Sequence, residues 1–287
     1  MKEIGLKKIN QRHFAHHTHA AFEDYAIIEE PLLIALCYLD IETNSYKTSD
    51  LTVVMRTPGK DTELIIGFLF NEQIIHFEKD ILNIKINDES QNNNHVIVKL
   101  AESVQPNWQK ITRAFASQSS CGICGKTSLN SLAINTESII NNEDAWLKSS
   151  EIITLANDLK SHQPLFQKTG GVHGAGYVVN NEWRCVYEDV GRHNAVDKVV
   201  GDILINKTCD EKSILVLSGR ISFELMQKAI TTAIPVIVAI GAPSSLAISA
   251  AIQFNITLIG FTKNNQFNVY HGNHRIDYDT SAVDAIK

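Results

Sequence analysis

The sequence predicts an α/β protein: a three-layer sandwich preceded by a smaller, mostly-β N-terminal region. Two observations carry this. From about residue 150 onward, short β-branched runs alternate with helical apolar stripes in the order hairpin, helix, strand, helix, strand, helix, strand, as in a sheet covered by helices. Between Asp24 and Leu100 strand-like runs dominate instead, and one helical stripe interrupts them. The chain accordingly divides into a flexible histidine-rich start at 1–20, a small mostly-β domain with one helix at 21–110, a mobile cysteine-pair loop region at 111–149, and the α/β domain at 150–287.

Each element has its own signal. His13, His16, His17 and His19 stand in a polar context and read as an exposed tail. Residues 32–39 form a continuous apolar run, and residues 51–55 and 96–100 are short and β-branched. Leu64, Ile65, Phe68 and Leu69 repeat at helical spacing after the breaker Thr57-Pro58-Gly59. A further helix is expected at 151–161, with Ser150 as its cap and Pro164 beyond its end. Strands at 175–179 and 183–187 flank Asn180-Asn181, a hairpin turn. Ala195, Val196, Val199, Val200, Ile203 and Leu204 mark the first sandwich helix, residues 214–217 a strand, and Leu225, Met226, Ala229 and Ile230 the second helix. A strand at 236–240, a helix carried by Ala247, Ile248, Ala251 and Ile252, and a strand at 256–259 follow. Residues 267–270 pair with a neighbour through a turn at Asn264-Asn265.

Bulk properties remove several function classes. The 287 residues are 44% hydrophobic and 20% charged, as in a globular chain with a buried core. A net charge of −6 argues against a nucleic-acid partner, which needs a basic surface. No apolar run reaches the roughly 18 residues that cross a bilayer, and no apolar stretch follows the first eight residues, so neither a membrane span nor a secretory signal is expected. Five cysteines at 37, 121, 124, 185 and 209 are too few for a disulfide framework and fit a reduced, cytoplasmic protein.

In that setting the chemistry concentrates in Ser120-Cys121-Gly122-Ile123-Cys124-Gly125-Lys126. Two thiols with two residues between them can share a proton, which lowers the pKa of one, or close a short disulfide, and Lys126 favours the nucleophilic thiolate. Three readings stay open on spacing alone: half of a zinc site, although no second pair stands nearby; a redox pair, although no strand-to-helix junction surrounds it; or a sulfur-carrying thiol on a mobile loop. Cys37, Cys185 and Cys209 read as small apolar filler.

A second group lies at the ends of the sandwich strands, where open α/β sheets bind ligands. These ends read Ser218-Gly219-Arg220, Gly241-Ala242-Pro243 and Gly260-Phe261-Thr262-Lys263-Asn264. The first two lead into helices whose free N–H groups favour anions. Ser218, Arg220 and Lys263 add donors or charge, and Phe261 a ring for stacking, which together fit a nucleotide or pyrophosphate. The run Glu188-Asp189-Val190-Gly191-Arg192-His193-Asn194 opens the first helix; Asp189 or Asn194 could cap it, while Arg192 and His193 sit poorly at a helix start unless an anion is present. Thr169-Gly170-Gly171-Val172-His173-Gly174 reads as a flexible loop that offers His173 as a further donor.

Taken with Arg56-Thr57-Pro58-Gly59, the cysteine pair, Thr169–His173, the long run from Glu188 to Lys198 and Leu217-Ser218-Gly219-Arg220 occur in an order that resembles the formate dehydrogenase accessory sulfurtransferase family, FdhD, over nearly the whole chain beyond the histidine-rich start. The resemblance implies a sulfurtransferase that takes persulfide sulfur from a cysteine desulfurase on Cys121 and passes it to the bis-guanine-dinucleotide molybdenum cofactor before insertion into formate dehydrogenase. It also implies cofactor contacts at Phe261, Thr262, Lys263, Asn264, Asn265 and Gln266, a cytidine deaminase-like core, and a homodimer. The cofactor is then substrate, and no tightly bound metal of the protein's own is expected. A zinc deaminase needs His-x-Glu and Pro-Cys-x-x-Cys at two helix starts; the matching positions here read His193-Asn194-Ala195 and Ser218-Gly219-Arg220, so deamination is not expected. The alternative is a cofactor-binding chaperone whose Cys121 and Cys124 hold zinc or sense redox state.

Overall fold

The structure, a computed structural model, describes residues 4–15, 18–86, 94–109, 111 and 144–278. Where the sequence reading expects a flexible start, β1 (Leu6–Ala15) and β2 (Thr18–Ile27) pair antiparallel from Leu6 opposite Ile27 to Ala15 opposite Thr18. The hairpin gains ladder bonds and cross-strand pairs such as Lys8 Nζ to Glu23 Oε2 at 2.7 Å, and none of its described side chains, at 6–11 and 20–27, is buried, so no apolar alternation announces it. Its base is tied to the body where Ile28 N–H donates to Gly5 O at 2.8 Å.

β3 (Glu30–Asp40), β4 (Ser45–Arg56), β5 (Ile81–Ile86) and β6 (His95–Leu100) form a four-stranded sheet in the order β4-β3-β6-β5. Leu32, Ile34, Leu36, Val96, Val98 and Leu100 on one face bury against α1 (Asp61–Asn71). Helix α1 is apolar on nearly every side, with Leu64, Ile65, Ile66, Phe68 and Leu69 all buried, because its outer face meets the sandwich.

The second part begins with β7 (Leu147–Lys148), α2 (Ser149–Asp158) and α3 (Pro164–Thr169). Glu151 Oε2 accepts the Lys148 N–H at 3.2 Å, so the helix starts at Ser149 with Lys148 as its N-cap, and Ser150, the expected cap, lies two positions past it in the first turn. Pro164 opens α3, where its missing N–H costs nothing. A six-stranded sheet follows, built from β8 (His173–Val179), β9 (Glu182–Asp189), β10 (Ser213–Leu217), β11 (Val236–Ala239), β12 (Thr257–Lys263) and β13 (Gln266–His271) in the order β13-β12-β11-β10-β8-β9. β10, β11 and β12 run parallel; β8 runs antiparallel to β10, and both outer strands close hairpins. Asn180 and Asn181 (φ 52 and 62) and Asn264 and Asn265 (φ 53 and 59) make the two left-handed hairpin turns expected of Asn pairs.

Helices α4 (Arg192–Asn206), α5 (Phe223–Thr231) and α6 (Ser245–Gln253) cover one face of this sheet, against Ala175, Tyr177, Leu215, Leu217, Ile237 and Leu258. Helix α2 covers the other, with Ile152, Leu155 and Ala156 against Val178, Val216, Val238 and Ile259. β14 (Ile276–Asp277) returns to pair with β7. The two sheets communicate through a helix crossing. A Cβ on Gly67 of α1 would lie 1.8 Å from Asp197 O, and one on Gly201 of α4 would lie 1.9 Å from Glu63 O, so each glycine lets the opposing backbone through. Among the described residues no helix is long and apolar enough to cross a membrane.

Candidate functional site

The carboxyl ends of β10, β11 and β12 line up into a ledge of backbone. Ser218 N–H donates to Gly174 O at 3.0 Å and its hydroxyl accepts the Gly174 N–H at 2.8 Å, which joins the start of β8 to the end of β10. A Cβ on Gly241 would lie 2.5 Å from Gly219 O, so only glycine allows the β11 end to press against the β10 end. Phe261 N–H then donates to Gly241 O at 3.2 Å. Ser218, Gly219 and Arg220 are thus continuous with Gly241 and Phe261, as the strand-end argument anticipates.

Arg192, His193 and His173 stand at the other end of the same ledge. His173 Nδ1 would be 3.2 Å from a Cβ on Gly219. His173 does not lie on a loop: the strand β8 begins with it, and Gly170 (φ 63) closes α3 just before. His193 Nε2 lies 3.3 Å from Ser222 Oγ and 3.3 Å from Glu224 Oε2, and Ser222 donates to Glu224 at 2.9 Å. Burial pushes His173 below the ordinary histidine range, assisted by the positive charges of Arg192, His193 and Arg220. The hydrogen bond from His193 holds the Glu224 carboxyl down to about 2. Arg192 Nε is buried without a hydrogen-bond partner. Cationic and neutral donors therefore converge there, with one carboxylate, Glu224, among them.

The rest of the Glu188–Lys198 run is structural. Asp189 is fully buried (0% exposed) and bonded to Lys198 Nζ at 2.7 Å. Its carboxylate also accepts the N–H groups of Thr57 at 3.2 Å and Gly191 at 2.9 Å and the Asn194 side chain at 2.9 Å. Neither Asp189 nor Asn194 caps α4, whose N-cap is Gly191 with no side-chain bond. Asn194 instead reaches Met55 O at 2.7 Å.

At the far end, Phe261 has φ 55 and is 41% exposed, while Thr262 is buried with its hydroxyl unpartnered. Lys263, Asn264, Asn265 and Gln266 form the exposed tip of the β12–β13 hairpin, which projects past the ledge. The expectation that two helix starts both lie open to an anion needs correction. Ser244 already accepts the Ala247 N–H of α6 at 3.2 Å, and Ile221 and Ala242–Ser244 exchange backbone bonds at 3.0 and 2.9 Å, so the Gly241-Ala242-Pro243 turn is occupied with its neighbour. Residue-type reasoning also missed Thr57, Ser222 and Glu224. Ser222 and Glu224 look like an ordinary helix start, and nothing local marks Thr57 as a partner of residue 189.

Cys121 and Cys124 lie outside the described residues, as do His16 and His17. Burial raises the Cys185 thiol, with Asp202 adding to it, and burial raises that of Cys209, so neither favours the thiolate. Among the described residues no three His, Cys, Asp or Glu side chains cluster as a metal site.

Residues 39–277 match the model of the FdhD/NarQ family. The chain is 39% identical over 260 residues to the sulfur carrier protein FdhD of Sulfolobus acidocaldarius, covering 90% of this chain and 93% of that one. It is 38% identical over 259 residues to the protein of the same name from Mycobacterium tuberculosis, covering 87% and 90%. In fold it is similar to the crystal structure described as a formate dehydrogenase accessory protein from Desulfotalea psychrophila, with a TM-score of 0.70 at 23% identity over 95% of this chain and 99% of that one. The chain belongs to the FdhD/NarQ family.

Proposed function

We propose that the protein is a sulfur carrier for molybdenum-cofactor maturation. Cys121 accepts the terminal sulfur of a cysteine desulfurase persulfide by thiolate attack, leaving the desulfurase thiolate behind. The sulfur then passes to the bis-guanine-dinucleotide molybdenum cofactor, bound as substrate, before the cofactor enters formate dehydrogenase. The same reading places the protein in the cytoplasm as a homodimer. Cys124 accepts sulfur itself, resolves the persulfide on Cys121 or only tunes that thiol.

The observation that carries the cofactor half of this reading is the ledge. A guanine dinucleotide presents a pyrophosphate and a base, and the ledge offers chemistry for each at opposite ends. Arg192, with its buried unpartnered Nε, together with Arg220 and His193, suits the phosphates. Phe261, exposed and held in a left-handed backbone, suits the base. Thr262 brings a buried unpartnered hydroxyl between them and the hairpin tip of Lys263 to Gln266. The strand order, with an antiparallel hairpin beside three parallel strands, supports a deaminase-like core put to nucleotide holding. On that reading, His193 and Ser218-Gly219-Arg220 would take the two helix starts that carry the zinc ligands and general acid/base of a deaminase.

Calorimetry with GDP, a fragment of the cofactor, tests the ledge. GDP is expected to bind the wild-type protein. No detectable binding would remove this site from the proposal. Elemental analysis showing one zinc per chain that is lost on mutating Cys121 or Cys124 would favour the chaperone alternative.

A further inference from the structure

We infer that Thr57, in the other sheet of the molecule, is a positioning residue for the phosphate end of the ledge; this rests on the ligand reading above. Helix α4 carries Arg192 and His193 on its first turn, yet its N-cap Gly191 supplies no side-chain bond to hold the entry. The entry is held from 133 residues away in sequence. The Thr57 hydroxyl accepts the Val190 N–H at 3.1 Å, its N–H donates to Asp189 at 3.2 Å, and its carbonyl accepts Lys198 Nζ at 3.2 Å. The N–H, the hydroxyl oxygen and the carbonyl of Thr57 thus all bond to residues 189–198, and Thr57 is only 1% exposed. Thr57 is itself anchored from behind: Arg56 is 2% exposed and bonds both oxygens of Asp61 at 3.1 Å and Asn94 at 3.0 Å. Asn194 adds a parallel strap to Met55 O at 2.7 Å. The end of β4 therefore fixes the loop from which Arg192 and His193 project, and the small β sheet sets the geometry of a site to which it contributes no ligand group.

Thr57→Val keeps the shape and removes the hydroxyl acceptor; Thr57→Ser keeps the hydroxyl. Two readouts are taken on full-length protein: GDP affinity, and the ring nitrogen resonances of His193 in the free protein by NMR. Thr57→Val is expected to weaken GDP roughly fivefold, a change of about 1 kcal/mol, and to displace the His193 resonances. Thr57→Ser is expected to restore both. Asn194→Ala, at a more exposed position, is the second variant and is expected to displace the same resonances. Wild-type His193 resonances in Thr57→Val or Asn194→Ala, or a Thr57→Ser protein that behaves like Thr57→Val, would overturn the inference. If GDP fails to bind wild-type protein, the ligand reading falls, while the His193 resonances still decide the role of Thr57.

Discussion

The two ends of the ledge are built in opposite ways. At the Arg192 end, a fully buried carboxylate, Asp189, gathers Lys198, Thr57, Gly191 and Asn194 around it, so the loop has little freedom. At the Phe261 end, an exposed aromatic sits in a left-handed backbone and leads into the exposed Lys263–Gln266 tip, whose turn residues Asn264 and Asn265 are also left-handed. A rigid end suits phosphate, whose recognition depends on fixed donors at fixed distances. A projecting end suits a base, because stacking tolerates small displacements. Burial therefore predicts how each position responds to change: the buried Asp189 through stability, the exposed Arg220 and Phe261 through affinity alone.

The largest effect should come from Asp189→Ala. It strands the Lys198 ammonium, itself 2% exposed, without its partner. A loss of about 3–5 kcal/mol is expected for breaking a buried pair in this way, measured by urea unfolding. Phe261→Ala in the same assay should change stability by no more than about 0.5 kcal/mol. A small effect at Asp189 would mean that the rigid end is not rigid.

Next come the ligand contacts. Phe261→Ala and Arg220→Ala should each weaken GDP about tenfold, equivalent to about 1.4 kcal/mol, read by calorimetry, with the thermal midpoint unchanged. If both variants bind GDP as the wild type does, the base and the phosphates lie elsewhere. Lys263→Ala should do less, roughly twofold at low salt, because an exposed charge is screened by solvent and ions. That difference should vanish as salt is raised; a salt-independent loss would indicate a direct contact in place of a field effect.

The smallest expected effect is a pH dependence. The Glu224 carboxyl is lowered from 4.5 to about 2 chiefly by its hydrogen bond with His193. Its folded-state pKa is below its unfolded value, so its contribution is present above about 4.5 and is lost as pH falls toward about 2. Glu224→Gln should flatten the stability curve across that window, modestly because the side chain is about half exposed. An unchanged curve would show that the His193–Glu224 contact has no energetic weight in solution.

How much of this was legible beforehand follows from the range of the forces involved. The strand and helix alternation from residue 173 to 271, and both Asn-Asn turns, come from period and local backbone preference, which a sequence displays directly. The convergence of Ser218, Gly219, Arg220 and Phe261 followed from a topological rule about strand ends. The Thr57–Asp189 latch was invisible, since nothing local marks two polar residues more than a hundred positions apart as partners. The β1–β2 hairpin was missed for another reason: none of its described side chains, at 6–11 and 20–27, is buried, and period-based reading depends on a buried face. The Ser244 cap shows a further limit, because sequence offers a helix start without saying whether its N–H groups are already taken.

The proposed sulfur-carrying role is tested most directly by intact-mass measurement after incubation with a cysteine desulfurase and cysteine. The wild-type chain should gain one sulfur atom that a reductant removes. Cys121→Ala should gain none, while Cys185→Ala and Cys209→Ala, whose thiols burial raises, should gain it as the wild type does. An undiminished adduct on Cys121→Ala would contradict the assignment of Cys121 as the sulfur carrier.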